Sequence, residues 1–478
     1  MWLLLLLAAA GATDGVAAGL DADSAGADGW TLPAPALLDI ARRHNLGGCA
    51  LTTIPKPPTC DEAGGCAGWT DLFAARAPFI IQHATDAWPA SALWTREHLL
   101  RKHGAASLGQ QVAGQAKLYE SFGLNVQAGG GAGAGATLGE FIGAMRGGGN
   151  RSYLFDNSDD SVARRLLPEA GDFRALRELA QMDELTLSLA PSGVGFPLHT
   201  HGRSWIGLVA GQKLWAFYKP GQLPAEAEAM SVLHPLRWLE SADGLSSIPP
   251  DRRPIFCLQK PGDLLFVPDY YYHWTLNLGE AVGFGAQRND ISASDAADLY
   301  GAWPGSGRAS FKVAKHVAEG TLEPSGGDVA RMLKAAALEE PWELPFSVQY
   351  AVTLLQQQGR GRGRARARKR GLKVLRDCGK RLLGLVKKKW ASAQRVATPL
   401  AVLGVQLVQL GARTGLAKQL LRDAVAADGS LGFAWHHLAL AEQASGALPE
   451  AVRAAEQAAL LDGADGAAGA LLAELRRA

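Results

Sequence analysis

The segment Leu185-Thr-Leu-Ser-Leu189 alternates apolar and polar side chains, and three apolar runs follow it between Gly and Pro breaks. These runs are Trp205-Ile-Gly-Leu-Val-Ala210, Lys213-Leu-Trp-Ala-Phe-Tyr218 and Asp263-Leu-Leu-Phe-Val-Pro268. A period of two is typical of strands with one buried face, and the prolines fall between or at the ends of the runs. Residues 183 to 290 are therefore predicted to form a compact all-β core, and closure into a barrel would hide its short edges.

Three histidines in this core have the spacing of metal ligands. His199 and His201 are two residues apart, so on a strand they share one face and can bind the same ion. His273 follows in the aromatic run Tyr270-Tyr-Tyr-His-Trp274, after the Pro-Gly-Asp turn at 261–263. An isolated His-x-His pair is more often a solvated or core feature than a metal site, so the third imidazole decides the interpretation.

Lys213 begins one of the apolar strands, which is an unusual position for a cation. One interpretation is that its ammonium points into the barrel, with the stem lying along Trp215. The alternative is that the side chain runs along the barrel wall and keeps its charge in water.

Together, these residues resemble the JmjC (Jumonji C) family of Fe(II)/2-oxoglutarate oxygenases, which has a His-x-acid pair, a Gly-x-Lys-x-Trp strand and a distal Pro-x-aromatic-aromatic-aromatic-His. The likeness runs from about Cys49 to Asp290 and includes Leu154-Phe-Asp-Asn157. It implies an α+β fold, with a JmjC/cupin double-stranded β-helix core and N-terminal α/β elements. It also implies a cofactor pair, Fe(II) and 2-oxoglutarate, and a protein hydroxylase-like activity. The implied metal ligands are His199, His201 and His273, and the implied 2-oxoglutarate residues are Lys213 and Asn277.

Two departures from the family pattern leave catalysis open. His201 stands where most active members have Asp or Glu, so the ligand set is neutral. Phe196 stands where hydroxylases of the family often have a threonine for the co-substrate. The chain is thus either a metal-dependent oxygenase or an inactive adaptor that binds partners through its C-terminal region. A nuclear demethylase is a third interpretation, and it requires a nuclear location.

The N-terminus has features of the secretory pathway. The apolar run Met1-Trp-Leu-Leu-Leu-Leu-Leu followed by small residues predicts a signal peptide over 1–18, cleaved after Ala12 or Ala18. Three clustered cysteines are candidates for a disulfide, with pairing open and free loop thiols as the alternative: Cys49, Cys60 and Cys66. Asn150-Arg-Ser is a glycosylation sequon. These features predict the endoplasmic reticulum lumen or secretion.

Between the leader and the β core, a mixture of helices and strands is predicted. Helical periodicity appears at residues 36–44, 95–103 and 138–145, and Phe79-Ile-Ile-Gln82 reads as a strand. The Gly/Ala stretch at 128–136 is a flexible insertion. We therefore predict a JmjC domain over residues 30–310.

The remaining residues are rich in alanine and helical in pattern. A helical linker is predicted over 311–345 and a TPR-like helical domain over 346–478, in which two helix pairs recur at tetratricopeptide spacing. An ordinary helical bundle is the alternative. The basic insertion at 358–371 suggests a nucleic-acid arm, but no aromatic residue lies between its arginines. We interpret it as a solvated loop.

Composition limits the partners. The 478 residues include 48 basic and 46 acidic side chains, for a net charge of +2, so no global attraction to nucleic acid is expected. No run after the leader is long and apolar enough for a transmembrane helix. The expected partners are a protein or peptide, with no nucleic acid.

Overall fold

The structure is a computed structural model that describes most of the chain. The described residues are 26–58, 67–108, 137–146, 153–156, 162–171, 182, 184–242, 244–288, 291–303, 305–322, 329–341, 343–356, 362–388, 390–391, 393–410, 414–462 and 466–477. The chain divides into two compact units, Met1–Ser292 and Ala293–Ala478. The predicted signal peptide, Asn150, Cys60, Cys66 and the Gly/Ala insertion lie outside the described residues.

The first unit contains the strands, and they fall where apolar periodicity predicts them. In chain order they are β1 (Thr52–Ile54), β2 (Phe79–Ile81), β3 (Leu154–Asp156), β4 (Glu184–Ala190), β5 (Ser204–Ala210), β6 (Lys213–Tyr218), β7 (Ile255–Gln259), β8 (Leu264–Val267), β9 (Tyr272–Asn277) and β10 (Ala281–Gln287).

Two sheets form the barrel. The seven-stranded sheet has the order β1-β2-β8-β5-β10-β4-β3, and the three-stranded sheet has the order β7-β6-β9. Apart from the parallel β1–β2 pair, neighbouring strands are antiparallel. Gln259 of the small sheet donates from Nε2 to the carbonyl of Ile206 in the large sheet at 2.9 Å. This architecture confirms the predicted double-stranded β-helix.

The helices of the first unit are short. They are α1 (Pro35–Arg43), α2 (Ala67–Ala74), α3 (Pro89–Leu93), α4 (Arg96–His98) with the π-helical turn Leu99–His103, α5 (Leu138–Ala144), α6 (Val162–Ala170), α7 (Ala227–Val232), α8 (Pro235–Glu240) and the 3-10 turns Leu245–Ser247 and Pro250–Arg252. Helix α5 begins with a capping box between Thr137 and Glu140, which satisfies backbone donors of its first turn.

A buried ion pair ties the N-terminal segment to the barrel. Arg96 Nη1 lies 2.7 and 2.9 Å from the two carboxylate oxygens of Glu280, which precedes β10. The same carboxylate accepts a hydrogen bond from the backbone nitrogen of Thr31 at 2.8 Å, and the guanidinium lies over the ring of Trp30. These partners compensate the desolvation of both charges.

A disulfide corrects the interpretation of the cysteines. Cys49 is bonded to Cys257 of β7, 208 residues away, and not to a cysteine near it in sequence. Cys257 resembles an ordinary apolar strand residue because its neighbours are apolar and it is fully buried. The backbone bridge between Cys49 and Cys257 places the two side chains together, which no sequence spacing indicates.

The second unit is all helical. Its helices are α9 (Ala293–Ala302), α10 (Gly307–Ala318), α11 (Val329–Glu339), α12 (Leu344–Gln356), α13 (Arg362–Lys387), α14 (Ala393–Gln409), α15 (Thr414–Ala427), α16 (Gly432–Gln443), α17 (Leu448–Asp462) and α18 (Ala467–Leu475). Consecutive helices pack against one another, and a shared core from Ala351 to Leu475 joins α12 through α18. The predicted TPR-like arrangement is confirmed.

The basic segment is not the solvated loop that the arginine run suggests. Its described residues from Arg362 onward belong to α13, which packs against α12. Arginine, lysine and alanine are strong helix formers, and this preference outweighs Gly363 and Gly371 within the helical part of the run. The region predicted as a helical linker holds α11 and most of α10. None of the helices among the described residues is long and apolar enough to cross a membrane.

Candidate metal centre

The structure brings the three predicted histidines together at one end of the barrel cavity. His273 lies in β9, whereas His199 and His201 lie in the segment that leads into β5. The ring centroids of His199 and His273 are 4.2 Å apart, those of His201 and His273 are 4.6 Å apart, and those of His199 and His201 are 5.5 Å apart. One ligand nitrogen from each lies within 4.8 Å of the others, which is the spacing of donors around one ion.

Backbone carbonyls determine the tautomer of all three imidazoles. His199 Nδ1 lies 2.7 Å from the carbonyl of Pro197, His201 Nδ1 lies 2.6 Å from that of Gly202, and His273 Nδ1 lies 2.9 Å from that of Tyr271. Because a carbonyl oxygen only accepts, each Nδ1 must carry the proton and donate it. In the neutral form of each ring, Nε2 is then an unprotonated lone-pair donor, the form that binds a metal.

Burial keeps the innermost imidazole neutral. His273 is 2 % exposed, and desolvation holds its pKa well below the ordinary value, while the neighbouring His199 and His201 lower the pKa further. A neutral imidazole can bind a cation without first releasing a proton. The ligand cluster thus fits a divalent transition metal.

Lys213 lies deeper in the same cavity. The residue is 1 % exposed, and its ammonium donates hydrogen bonds to the hydroxyls of Tyr153 and Ser188, the latter at 3.1 Å. It also lies 4.9 Å from the centre of the Tyr153 ring and 5.8 Å from that of Trp215. Among the described residues it has no carboxylate partner. This burial contradicts the snorkelling alternative.

Two glycines allow the backbone to bring Lys213 and the His199 segment close to the cavity. Gly211, in the turn between β5 and Lys213, has a φ of 77°, and a Cβ there would lie 2.2 Å from the carbonyl oxygen of Glu280. Gly195 precedes the His199 segment, and its Cβ would lie 1.9 Å from the carbonyl oxygen of Thr275. Close backbone approach at both places brings Lys213 and the His199 segment to the cavity.

The cavity itself is small. Its volume is ≈ 50 Å³, and its lining comes from both sheets: Tyr153, Thr186, Phe196, His199, His201, Ser204, Trp205, Ile206, Lys213, Trp215, His273, Thr275, Ala286 and Gln287. Asn277 is not part of the lining, although it lies on the same face of β9 as His273. The side-chain amide of Asn277 is buried with neither its nitrogen nor its oxygen hydrogen-bonded.

The ring of Phe196 is one reason why the cavity is small. Its ring packs against that of Tyr153 with centroids 4.4 Å apart, and it lies 5.5 Å from the ring of His199. It therefore occupies the space between Lys213's partner Tyr153 and the metal ligands. The hydroxyl of Thr186, which also lines the cavity, is buried without a hydrogen-bond partner.

Two networks hold the ligands in place. Arg203 donates to the carboxylate of Asp269 from its backbone nitrogen at 2.8 Å and from Nε at 2.7 Å, which joins the His201 segment to the turn before β9. On the other side, Trp215 Nε1 donates to Gln259 Oε1 at 2.9 Å, and the Trp215 ring lies 5.8 Å from that of His273. Such outer partners orient the groups that contact a metal.

Sequence reasoning missed Tyr153, Ser188 and Thr275 as parts of the site. Tyr153 and Ser188 share a hydrogen bond of 2.6 Å beside Lys213, and Thr275 Oγ1 accepts one of 3.2 Å from the Phe196 nitrogen. The polar positions of the Leu185–Leu189 alternation could have indicated Ser188, because they mark the strand face opposite its leucines. Nothing local distinguishes Tyr153.

Curated relatives of this chain are JmjC proteins. JmjC domain-containing protein 8 from Homo sapiens is 34 % identical over 101 residues, which is 20 % of this chain and 35 % of that protein. Lysine-specific demethylase JMJ21 from Arabidopsis thaliana is 24 % identical over 233 residues, 44 % of this chain and 23 % of that protein. The match thus spans about a third or less of the length of these relatives. No protein-family model matches the chain.

Two further similarities are more distant. The bifunctional arginine demethylase and lysyl-hydroxylase psr-1 of Caenorhabditis briggsae is 24 % identical over 279 residues, covering 52 % of this chain and 63 % of that protein. Among solved structures, MamA from Desulfovibrio magneticus is 16 % identical over a match that covers 36 % of this chain and 84 % of MamA, with a TM-score of 0.23. The sequence relatives agree with the barrel and its histidine cluster, and together they support the assignment of this chain to the JmjC family.

Proposed function

We propose that the barrel binds Fe(II) between His199, His201 and His273, takes 2-oxoglutarate against Lys213, and acts on a polypeptide as a protein hydroxylase-like oxygenase of the secretory pathway. The observation that carries the proposal is the convergence of three imidazole Nε2 atoms whose Nδ1 atoms all donate to carbonyls. In this arrangement Nδ1 of each neutral imidazole carries the proton, so its Nε2 lone pair can bind a metal.

Three neutral imidazoles fit iron, and because they carry no charge they leave the positive charge of the ion uncompensated. Imidazole nitrogens suit Fe, Zn, Cu and Ni, and three of them leave coordination positions for a co-substrate. When bound, the metal supplies oxygen activation with 2-oxoglutarate as the electron source. The protein contributes the fixed tautomers, a dry cavity wall and the cation at Lys213.

Lys213 fits the distal carboxylate of 2-oxoglutarate. A buried ammonium whose hydrogen-bond partners among the described residues are hydroxyls is costly to desolvate, and a carboxylate bound beside it would offset that cost. The hydroxyls of Tyr153, Ser188 and Thr186 lie on the same cavity wall or against the ammonium. The family resemblance assigns Asn277 to the same cofactor. Neither amide atom of Asn277 is hydrogen-bonded, so both can bind a ligand.

The co-substrate needs more space than the cavity has. Clefts that hold small organic ligands measure about 300–1,000 Å³, far above the ≈ 50 Å³ found between Lys213 and the histidines. We infer that the Phe196 ring rotates away from Tyr153 when 2-oxoglutarate enters. Phe196 would thus lower the affinity of the barrel for 2-oxoglutarate.

Three features support the proposed lumenal location. The Cys49–Cys257 disulfide joins an N-terminal loop to the small sheet, and disulfides persist in oxidising compartments. The apolar leader and the Asn150 sequon agree with the same compartment. Glycosylation at Asn150 and cleavage within residues 1–18 are part of this proposal.

The test measures iron content, 2-oxoglutarate binding and succinate formation in the anaerobically purified full-length protein. We expect one iron per chain and a saturable 2-oxoglutarate isotherm in the wild type. Lys213→Met should abolish 2-oxoglutarate binding but retain iron, because it removes the ammonium and keeps the stem. Lys219→Met is the matched control at the exposed residue directly after the same strand, and it should behave as wild type.

Phe196→Thr sharpens the test. It removes the ring that closes the cavity and adds a hydroxyl, so 2-oxoglutarate should bind more tightly than in the wild type. If wild type and Phe196→Thr both bind iron but neither binds 2-oxoglutarate, the oxygenase function is wrong. The adaptor function then becomes the better account.

The adaptor is a second candidate because the helical unit has its own basic groove. This groove has a volume of ≈ 700 Å³ and lies among α11, α12 and α13. Six of its lining residues are cationic: Arg331, Lys334, Arg366, Lys369, Arg370 and Lys373. Such a concentration of positive charge around Tyr350 and Leu354 is complementary to an acidic peptide with an apolar side chain.

The groove is tested with a fluorescent glutamate-rich peptide, followed by anisotropy with the full-length protein. The double variant Arg366→Glu/Arg370→Glu should lose binding. Arg376→Glu/Lys380→Glu makes the same charge change on exposed residues of α13 outside the groove and should retain it. Equal losses in both variants, or tighter binding of a single-stranded oligonucleotide than of the peptide, would contradict a peptide groove.

A further inference from the structure

A second cluster of metal-ligating side chains lies outside the barrel cavity. His98 Nε2 is 3.0 Å from Glu169 Oε2, and His103 Nε2 is 3.1 Å from Glu169 Oε1. One ligand atom from each of the three residues lies within 4.8 Å of the others. The three side chains are only 10 to 16 % exposed. Two imidazoles and one carboxylate are a ligand set that zinc takes readily.

The π-helical turn explains how the two histidines meet. His98 and His103 are five residues apart, and in an α-helix of 3.6 residues per turn such residues point about 140° apart. The turn Leu99–His103 is π-helical, and its wider spacing returns the fifth residue toward the first. The two rings consequently lie with centroids 6.0 Å apart on one side of the segment. Single π-turns of this kind are frequent at functional sites.

Glu169 reaches the cluster from a different element. It lies near the end of α6, directly after the helix-interior Pro168. Burial alone would raise the pKa of its carboxyl, but hydrogen bonds from Lys102, His98 and His103 together outweigh burial and lower the pKa to about 2. The carboxylate is thus ionised near neutral pH.

Lys102 shows that the cluster attracts a cation. Its ammonium lies against Glu169 Oε1, the same oxygen that His103 approaches. The Lys102 side chain is 56 % exposed, so it can turn out into water, whereas the two imidazoles and the carboxylate are held by the fold. A divalent ion can therefore take the place of the ammonium without moving the other three groups.

We propose that His98, His103 and Glu169 form a second metal site, specific for Zn²⁺ or a similar divalent transition ion, that is separate from the barrel centre. Binding replaces the Lys102 ammonium and joins the π-helical turn to α6. Leu99 and Leu166 of these two segments belong to the same buried core as β4 and β10, so the ion would secure the layer that covers the large sheet. The role we assign to this ion is structural, because it would join two segments that pack in one core.

The test counts zinc in a protein whose barrel site has been removed. His199→Ala takes away a barrel ligand and leaves the second cluster unchanged. After equilibration with Zn²⁺ and removal of the excess, we expect one equivalent of zinc in His199→Ala and none in His199→Ala/His103→Gln. Glutamine can still donate to Glu169 but is a poor zinc ligand, so this variant keeps the hydrogen bond and loses the metal. Cobalt substitution gives an absorption readout of the same stoichiometry.

Two further variants separate a metal site from an ion-pair network. His83→Ala removes an exposed histidine that pairs with Asp86, and in the His199→Ala background it should still bind one equivalent. Lys102→Met in that background should bind zinc more tightly, since the competing cation is gone. If His199→Ala binds no more zinc than His199→Ala/His103→Gln, or if Lys102→Met fails to bind zinc, the cluster is an ion-pair network only. Neither result depends on whether the barrel binds iron.

Discussion

The main chains of His199 and His273 exchange two hydrogen bonds, with the His199 nitrogen 2.9 Å from the His273 oxygen and the His273 nitrogen 3.0 Å from the His199 oxygen. This isolated bridge lies between β9 and the segment that enters β5. The two imidazoles therefore emerge from directly opposed residues, where Cβ atoms lie only about 4.5–5.5 Å apart. Their approach is a property of the backbone pairing and does not require a bound metal.

Removal of either ligand should empty the barrel site. In His199→Ala or His273→Ala, two imidazoles remain and the ion keeps mostly water as ligands, so stoichiometric iron should be lost. His83→Ala, at an exposed surface position, should retain it. Iron content after anaerobic purification checks this, and full occupancy in His273→Ala would contradict the assignment of that residue as a ligand.

His201→Asp should restore the ligand set usual in the family. The substitution replaces a neutral imidazole by a carboxylate and lowers the charge of the site by one, which favours a divalent cation. We expect Fe(II) binding at least as tight as in the wild type and a faster conversion of 2-oxoglutarate to succinate. Succinate formation in the two proteins at equal iron occupancy measures the difference. A slower rate in His201→Asp would contradict the idea that His201 replaces an acidic ligand on which oxygenase activity depends.

Glu280→Gln should destabilise the first unit strongly. It leaves the guanidinium of Arg96, which is 7 % exposed, without its carboxylate in the interior. Loss of one partner of a buried pair costs about 3–5 kcal/mol. Urea unfolding followed by tryptophan fluorescence measures this, because Trp30 packs against Arg96. Glu97→Gln, at the neighbouring residue on the surface, is the control and should leave the free energy of unfolding unchanged.

The disulfide should contribute to stability in the same unit. Cys257→Ala and Cys49→Ala remove the same covalent bond, so each should lower the free energy of unfolding by about 2–5 kcal/mol and the double variant by no more than either. Cys378→Ala, a buried thiol in the helical unit, is the control. Additive losses in the double variant would show that the two cysteines act separately.

Cys378 should react slowly with alkylating reagents. Burial raises the pKa of its thiol, mainly by desolvation, so little reactive thiolate is present near pH 8. Peptide mapping after iodoacetamide treatment should find this cysteine unmodified in the folded protein and fully modified in denaturant. Rapid labelling of the folded protein would mean that α13 opens at this position.

Much of the fold could be predicted because local patterns and tertiary structure agree. The strands β4, β5, β6 and β8 fall on the apolar runs, since a pleated strand with a buried face needs that pattern wherever it lies. The helix pairs of the second unit follow from recurring large and small apolar positions in the same way. The prediction of a solvated loop for the basic segment was wrong because it relied on composition alone. Helix propensity and packing against α12 make the segment part of α13.

By itself, the sequence determined the strand and helix periods, the three histidines and the lysine of the barrel, since these depend on residue type and local spacing. Only the tertiary structure decided which distant groups meet. Cys49 and Cys257, Lys213 and Tyr153, and the second cluster at Glu169 are each joined across long separations by chain folding. Strand register and helix packing decide which of these residues meet. The residues next to each of them along the chain do not indicate the partner.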